Sequence, residues 1–200
     1  MPRRIDELTK GLYALVDDPD PRVRLQLALT LGEFEGDRKL AVLSGLAQIG
    51  AGDRWQSLAI LTSIGPRPGL FWKMLADKKP IWFSTPNAEH AWFIDKLATL
   101  VAASRNENDL REAAASLAQD KSPLYAKMVL LSSLAGVEKS NPLVEKLLAP
   151  TPEGPSQSTA RIAAEAELVA LSSESPLPVR LAAIGLLGRG VSSSVQNLVR

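Results

Sequence analysis

The chain has no cysteine, which excludes disulfides, thiolate metal sites, a cysteine nucleophile and covalent haem attachment within it. Histidine is nearly as scarce. His90 stands alone, and one imidazole supports neither a hydrolase triad nor a zinc site. Aromatic residues make up only 5% of the sequence. An excess of one charge is missing too: 23 lysines and arginines face 22 acids, for a net charge of +1. No electrostatic footprint therefore marks a phosphate backbone or an anionic membrane as partner. Long apolar runs are absent, and Met1-Pro2-Arg3-Arg4 leads into an amphipathic stretch rather than a signal peptide or a membrane span. What remains, 46% hydrophobic and 22% charged residues over 200 positions, is the composition of a chain that buries a core of its own.

Helical periodicity is present almost throughout. Ile5, Leu8, Leu12 and Leu15 recur at that spacing, followed by Val23, Leu27 and Leu31, and by Leu40, Leu43 and Ala47. The same holds for Phe93, Leu97, Leu100 and Val101, for Leu110, Ala114 and Leu117, and for Ile162, Ala166, Val169 and Ala170. Five dipeptides read as helix starts: Asp20-Pro21, Thr85-Pro86, Ser122-Pro123, Asn141-Pro142 and Ser175-Pro176. In each, the first side chain caps an orphan amide and proline takes the first helical position, where its missing N–H costs nothing. Gly32, Gly65, Gly136 and Gly188 fall where helices are expected to end.

The helical units resemble one another. Pro21-Arg22-Val23-Arg24-Leu25 through Leu31-Gly32 matches Pro178-Val179-Arg180-Leu181 through Leu187-Gly188, and weaker copies begin at Asp53-Arg54-Trp55 and at Asp120. Val23 and Val179 lie 156 residues apart, four periods of 39, slightly short of the roughly 40 to 47 residues of HEAT and armadillo units. The expectation is an all-α, HEAT/armadillo-like helical repeat solenoid of about five helix pairs, one domain over residues 1–200, whose stacked units offer an extended groove. Two stretches interrupt it: Asp77–Ser84, a loop with exposed-looking aromatics, and the proline-rich Pro150–Ser156.

The run Asp17-Asp18-Pro19-Asp20-Pro21-Arg22-Val23-Arg24-Leu25-Gln26-Leu27-Ala28 with Leu31-Gly32-Glu33 is similar to the turn and second helix of HEAT repeats. The whole chain resembles the HEAT-repeat region of the large membrane-bound dehydrogenase-type proteins of planctomycetes and verrucomicrobia. Asp53-Arg54-Trp55 through Leu61-Thr62-Ser63 looks like their second repeat and Arg180-Leu181-Ala182-Ala183-Ile184 like their last. In that family a propeller-like dehydrogenase domain precedes the helical region and a c-type haem domain follows. The resemblance implies a non-catalytic module excised from a larger multidomain protein, and a periplasmic or exported setting. It also places Arg24 and Arg180 at the repeat arginine that bonds turn acids such as Asp18, Asp20 or Glu174, while Gln56 departs from that pattern at the second unit.

Among possible sites, the acids Asp17, Asp18 and Asp20 lack the glycine and distal glutamate of a calcium loop and read as caps. Gly185, Gly188 and Gly190 follow no strand and do not form a dinucleotide fingerprint. Arg22, Arg24, Arg38 and Arg54 read as partners of turn acids rather than of phosphates. Trp55 occupies what looks like a core position of its repeat. Trp72, Trp82, Phe83 and Trp92 surround the irregular loop and either pack an odd junction between repeats or form a partner patch; in the second reading Lys78, Lys79, Trp82, Phe83 and His90 are the candidate partner surface, aromatic anchors with a charged rim. The expected function is a non-enzymatic scaffold for protein–protein or interdomain contacts. It is expected to be a monomer with no cofactor, metal, nucleic acid or direct membrane insertion. The alternatives are a helical-repeat nucleic-acid-binding protein, a DNA-glycosylase-like enzyme needing a basic groove, and a HEAT protein of the bilin-lyase type.

Overall fold

A computed structural model describes residues 11–148 and 156–190, and all regular structure among them is helical. The contacts fall into two compact units, Met1–Arg67 and Pro68–Arg200. No helix among the described residues is long and apolar enough to cross a membrane.

The first unit holds a 3-10 turn, Leu15–Asp17, and helices α1 (Pro21–Gly32), α2 (Arg38–Gly50) and α3 (Arg54–Ser63). α1 and α3, next but one in sequence, lie side by side, and α2 packs against both. Leu27 and Leu31 of α1, Leu40, Leu43 and Ala47 of α2, and Ile60 of α3 are buried between them, as the helical spacing predicts. Asp20 and Asp53 cap α1 and α3, accepting from the amides of Arg22 and Gln56 at 2.9 and 2.8 Å. Four residues after each cap comes a second matching bond. Arg24 Nη1 donates to the carbonyl of Asp18 at 2.6 Å, and Ser57 Oγ donates to the carbonyl of Ala51 at 3.0 Å. In both helices the acceptor lies two residues before the cap.

This corrects two expectations. Arg24 ties turn carbonyls, Asp18 and Pro19 at 2.6 and 3.1 Å, and not turn carboxylates. The carboxylates are already engaged, Asp18 by the amide of Asp20 at 2.8 Å and Asp20 by Arg22. Four residues after its cap, where α1 carries Arg24, α3 carries Ser57 and not Gln56. Gln56 instead buries its amide against Gly50, where a Cβ would collide with it.

The second unit contains α4 (Pro68–Lys78), a 3-10 turn Ile81–Phe83, α5 (Ala88–Ala103), α6 (Glu107–Ala118), α7 (Leu124–Val137), α8 (Pro142–Leu148), α9 (Ser156–Leu171) and α10 (Leu177–Leu187). Again alternate helices are neighbours. α4 lies against α6 and α6 touches α9 in one layer; α5 lies against α7 and α7 against α10 in the other. Polar ties span similar sequence distances. Asp109, fully buried on α6, accepts from the first amides of α4, Gly69 and Leu70, both at 3.0 Å. Asn141 Nδ2 donates to the last carbonyls around α5, Ala102 and Ser104, at 3.0 and 3.1 Å. Lys146 meets Glu107 at 3.1 Å, and Arg161 meets Asp120 at 2.6 Å. These partners are 37 to 41 residues apart.

Helix punctuation departs from the expected proline rule. Pro21 and Pro142 begin helices, whereas Pro123 and Pro176 occupy the cap position and Pro86 precedes the cap Asn87. Asn87 and Asn106 cap α5 and α6 with no proline at the first helical position. Of the four glycines expected to end helices, Gly32 closes α1 and Gly188 caps α10, Gly65 alone takes a left-handed conformation (φ 66°), and Gly136 lies inside α7. The spacing is also uneven. Helices α1, α3, α5, α7 and α10 begin at residues 21, 54, 88, 124 and 177, steps of 33, 34, 36 and 53 in place of an even 39. The last step is lengthened by α8 and the residues after it. Ile5, Leu8 and positions 150–155 of the proline-rich stretch lie outside the described residues.

Candidate functional site

The side chains of Asp77–Ser84 do not form one exposed aromatic patch. α4 runs on through Lys78, and Lys79 then takes a left-handed backbone (φ 48°) that reverses the chain into the 3-10 turn. The reversal points Ile81 outward, 83% exposed, and turns Trp82 (8% exposed) and Phe83 (fully buried) into the core. Phe83 packs on Trp72 with ring centroids 5.1 Å apart, and Trp82 meets Phe83 and Phe93 edge-on at 5.6 and 5.8 Å. Trp72 Nε1 donates to Ser116 Oγ at 3.1 Å, locking the cluster to α6. Lys78 and Lys79 are exposed, but the aromatic anchors expected beside them are core residues joining α4 to α5. The physical reason is area: each ring removes more apolar surface from water inside than any loop exposure leaves it.

His90, on the first turn of α5, stacks flat on Trp82 with centroids 5.2 Å apart. Its half-buried setting pushes its pKa below the usual histidine range through loss of hydration. It is a lid on the aromatic cluster, with no second titratable group stacked beside it. No set of three or more His, Asp or Glu side chains able to hold a metal ion occurs among the described residues.

Trp55 behaves in the opposite way. Expected in the core, it is 72% exposed. With Asp53 as cap, Trp55 corresponds to Arg22, two residues after the cap Asp20, and that position faces water in both helices. Leu58, three residues on and on the same side of α3, is also exposed, as is Leu29 on α1.

The expected partner for Arg180 is likewise not found. Its Nε is buried without a hydrogen-bond acceptor, and Glu174 is exposed. Several other cations do pair with acids: Arg22 with Asp20, Arg67 with Asp37, Arg111 with Glu107, and Arg161 with both Asp120 and Glu165. Two buried titratable groups on α7 were not anticipated. Burial pushes the Tyr125 hydroxyl up to about 12, with Asp95 adding to it. Burial also lowers the Lys127 ammonium, reinforced by Arg161 and opposed by Glu165 and Asp120.

One concave feature stands out in the second unit. α5, α7 and α10, the three helices of one layer, enclose a groove of about 390 Å³ that is open to solvent. Its floor is made of small residues, Ser132, Ser133 and Gly136 on α7 with Ala182 and Gly185 on α10. Nothing lies within 4 Å of the position a Cβ would take on Gly185, so that end is free space. The two charged residues in its lining are Asp95 on α5 and Arg189 just after α10. The guanidinium of Arg189 rests over Gly136, its Nη1 2.5 Å from where a Cβ would stand. This is mixed charge, unlike the basic groove a nucleic-acid-binding enzyme requires. The sequence signal for it was available: small residues at positions 132, 133 and 136 and at 182 and 185 repeat at helical spacing on two helices of one layer. No protein-family model, curated protein or solved structure matches this chain.

Proposed function

We propose that this chain is a non-catalytic HEAT-type repeat scaffold that holds another protein, or a neighbouring domain of a larger dehydrogenase-type protein, against the helix layer made by α5, α7 and α10. The observation that carries this reading is the groove across those three helices, because stacked helix pairs use one layer to form a concave binding surface while the other layer backs it. Two further features favour repeat architecture. Polar ties recur at sequence distances of 37 to 41 residues, and α1 and α3 carry matching caps and matching bonds four residues later. The membership in a dehydrogenase-type parent rests on the resemblance of the turn and helix sequences around Asp20 and Arg180.

The test places a photo-crosslinking residue either at Ser133, in the groove, or at Lys146, on the exposed side of α8. Irradiation in an extract of the native organism is expected to give one discrete adduct from the groove position and none from the other. Equal yields at both positions, or no adduct from Ser133, count against the reading.

A further inference from the structure

Resting on that reading, we propose that the groove between α5, α7 and α10 is a carboxylate-reading peptide site: it takes a partner segment with an acidic side chain seated on Arg189 and an apolar side chain over the small-residue floor.

The argument starts from Arg189. A guanidinium offers five donors in a planar fork and is matched best by a carboxylate, yet this one forms no ion pair with any described residue. It is nevertheless placed and not adrift. Gly136 leaves room for it to lie on the surface of α7, and its backbone is tied back by a bond from its amide to the carbonyl of Leu186 at 3.1 Å. Beside it, the half-buried hydroxyls of Ser132 and Ser133 line the same groove, supplying further donors for a carboxylate oxygen.

The rest of the groove specifies what flanks that carboxylate. Val129 and Val137 on α7 and Leu181 on α10 contribute apolar wall, with Leu181 58% exposed. Burying it requires an apolar group from outside. Across the groove Asp95 lies more than half exposed, paired with Lys96 of its own helix at 3.1 Å. It suits a basic or hydroxyl-bearing residue on the other side of the acid. An open trough spanning three helices fits a length of chain better than a small molecule, since small-molecule sites enclose most of their ligand. Charge complementarity therefore fixes polarity: acid toward α10, base toward α5.

The experiment is selection of a random linear peptide library on the intact chain, followed by titration of the enriched peptides by fluorescence anisotropy. The expected result is enrichment of an acidic residue next to an apolar one. Arg189→Ala should weaken the enriched peptide roughly tenfold to a hundredfold, the range for losing a charge-assisted hydrogen-bond pair. Arg189→Lys should restore part of that loss, because charge is kept while the fork is lost. Gly136→Ala should also weaken binding, by pushing the guanidinium off α7, with an unchanged circular dichroism spectrum. Failure to enrich acidic peptides, or enrichment of the same motif by Arg189→Glu, overturns the inference. An adduct at Ser133 whose yield is insensitive to Arg189 also overturns it, while leaving the scaffold reading intact; loss of the Ser133 adduct itself removes both.

Discussion

Trp55 and Trp82 belong to similar surroundings in sequence, each near the start of a helix and close to charged residues, yet one projects into water and the other closes a core. Trp55 sits two residues after the cap Asp53, at a position that faces out on α3 just as Arg22 faces out on α1. Trp82 sits in a 3-10 turn whose direction is set by the left-handed Lys79 and by the rings of Trp72, Phe83 and Phe93 waiting on the inside. The difference teaches that an aromatic's role follows from its distance to the nearest helix cap or chain reversal. Hydrophobicity alone does not decide it.

The strongest way to break the comparison is to remove the inner cluster. Phe83→Ala deletes a fully buried ring and is expected to cost about 3–5 kcal/mol, read as a lower urea midpoint. A change under about 1 kcal/mol is the outcome that places Phe83 outside the core. Next comes the cap that sets the outward face. Asp53→Ala removes the acceptor of the Gln56 amide and is expected to cost about 1 kcal/mol, measured by thermal denaturation; an unchanged melting temperature contradicts the assignment. Trp55→Ala is expected to shift stability by no more than about 0.5 kcal/mol, despite deleting the larger ring. A loss comparable to that of Phe83→Ala erases the contrast between the two regions.

The smallest effect concerns His90 on the face of Trp82. Burial lowers its folded pKa below the ordinary 6.5, so the neutral ring is favoured in the native state. The associated stability is fully present above the unfolded value and is lost as pH falls through the lower folded one. Since His90 is the only histidine, its imidazole proton signals in an NMR titration report this directly. A midpoint at or above 6.5 shows that the stacking leaves the ring as hydrated as in the unfolded chain.

Much of the local structure was legible from residue order. The buried sets Leu27 and Leu31, Leu40 and Leu43, and Phe93, Leu97 and Val101 follow from spacing alone, because a helix places every third or fourth residue on one side. The caps Asp20 and Asn141 were legible for the same local reason. The arginine pairing was not. Whether Arg24 meets a carboxylate or a carbonyl depends on which acids the turn amides have already claimed, a competition settled within a few ångströms. The groove was half legible: the small residues stand in the sequence, but nothing in it says that α5, α7 and α10 become neighbours.

The sequence by itself determined that this chain is helical and where most of its helices lie. Capping, proline placement and 3.6-residue periodicity act over at most a few positions, and such short-range terms survive without a fold. Only the tertiary structure decided that alternate helices share a layer, that Trp82 and Phe83 turn inward while Trp55 turns out, and that Arg189 comes to rest on Gly136. Those outcomes depend on contacts between residues more than 40 positions apart, such as Trp72 with Ser116 and Gly136 with Arg189. Close packing selects among faces that the local pattern leaves equally good.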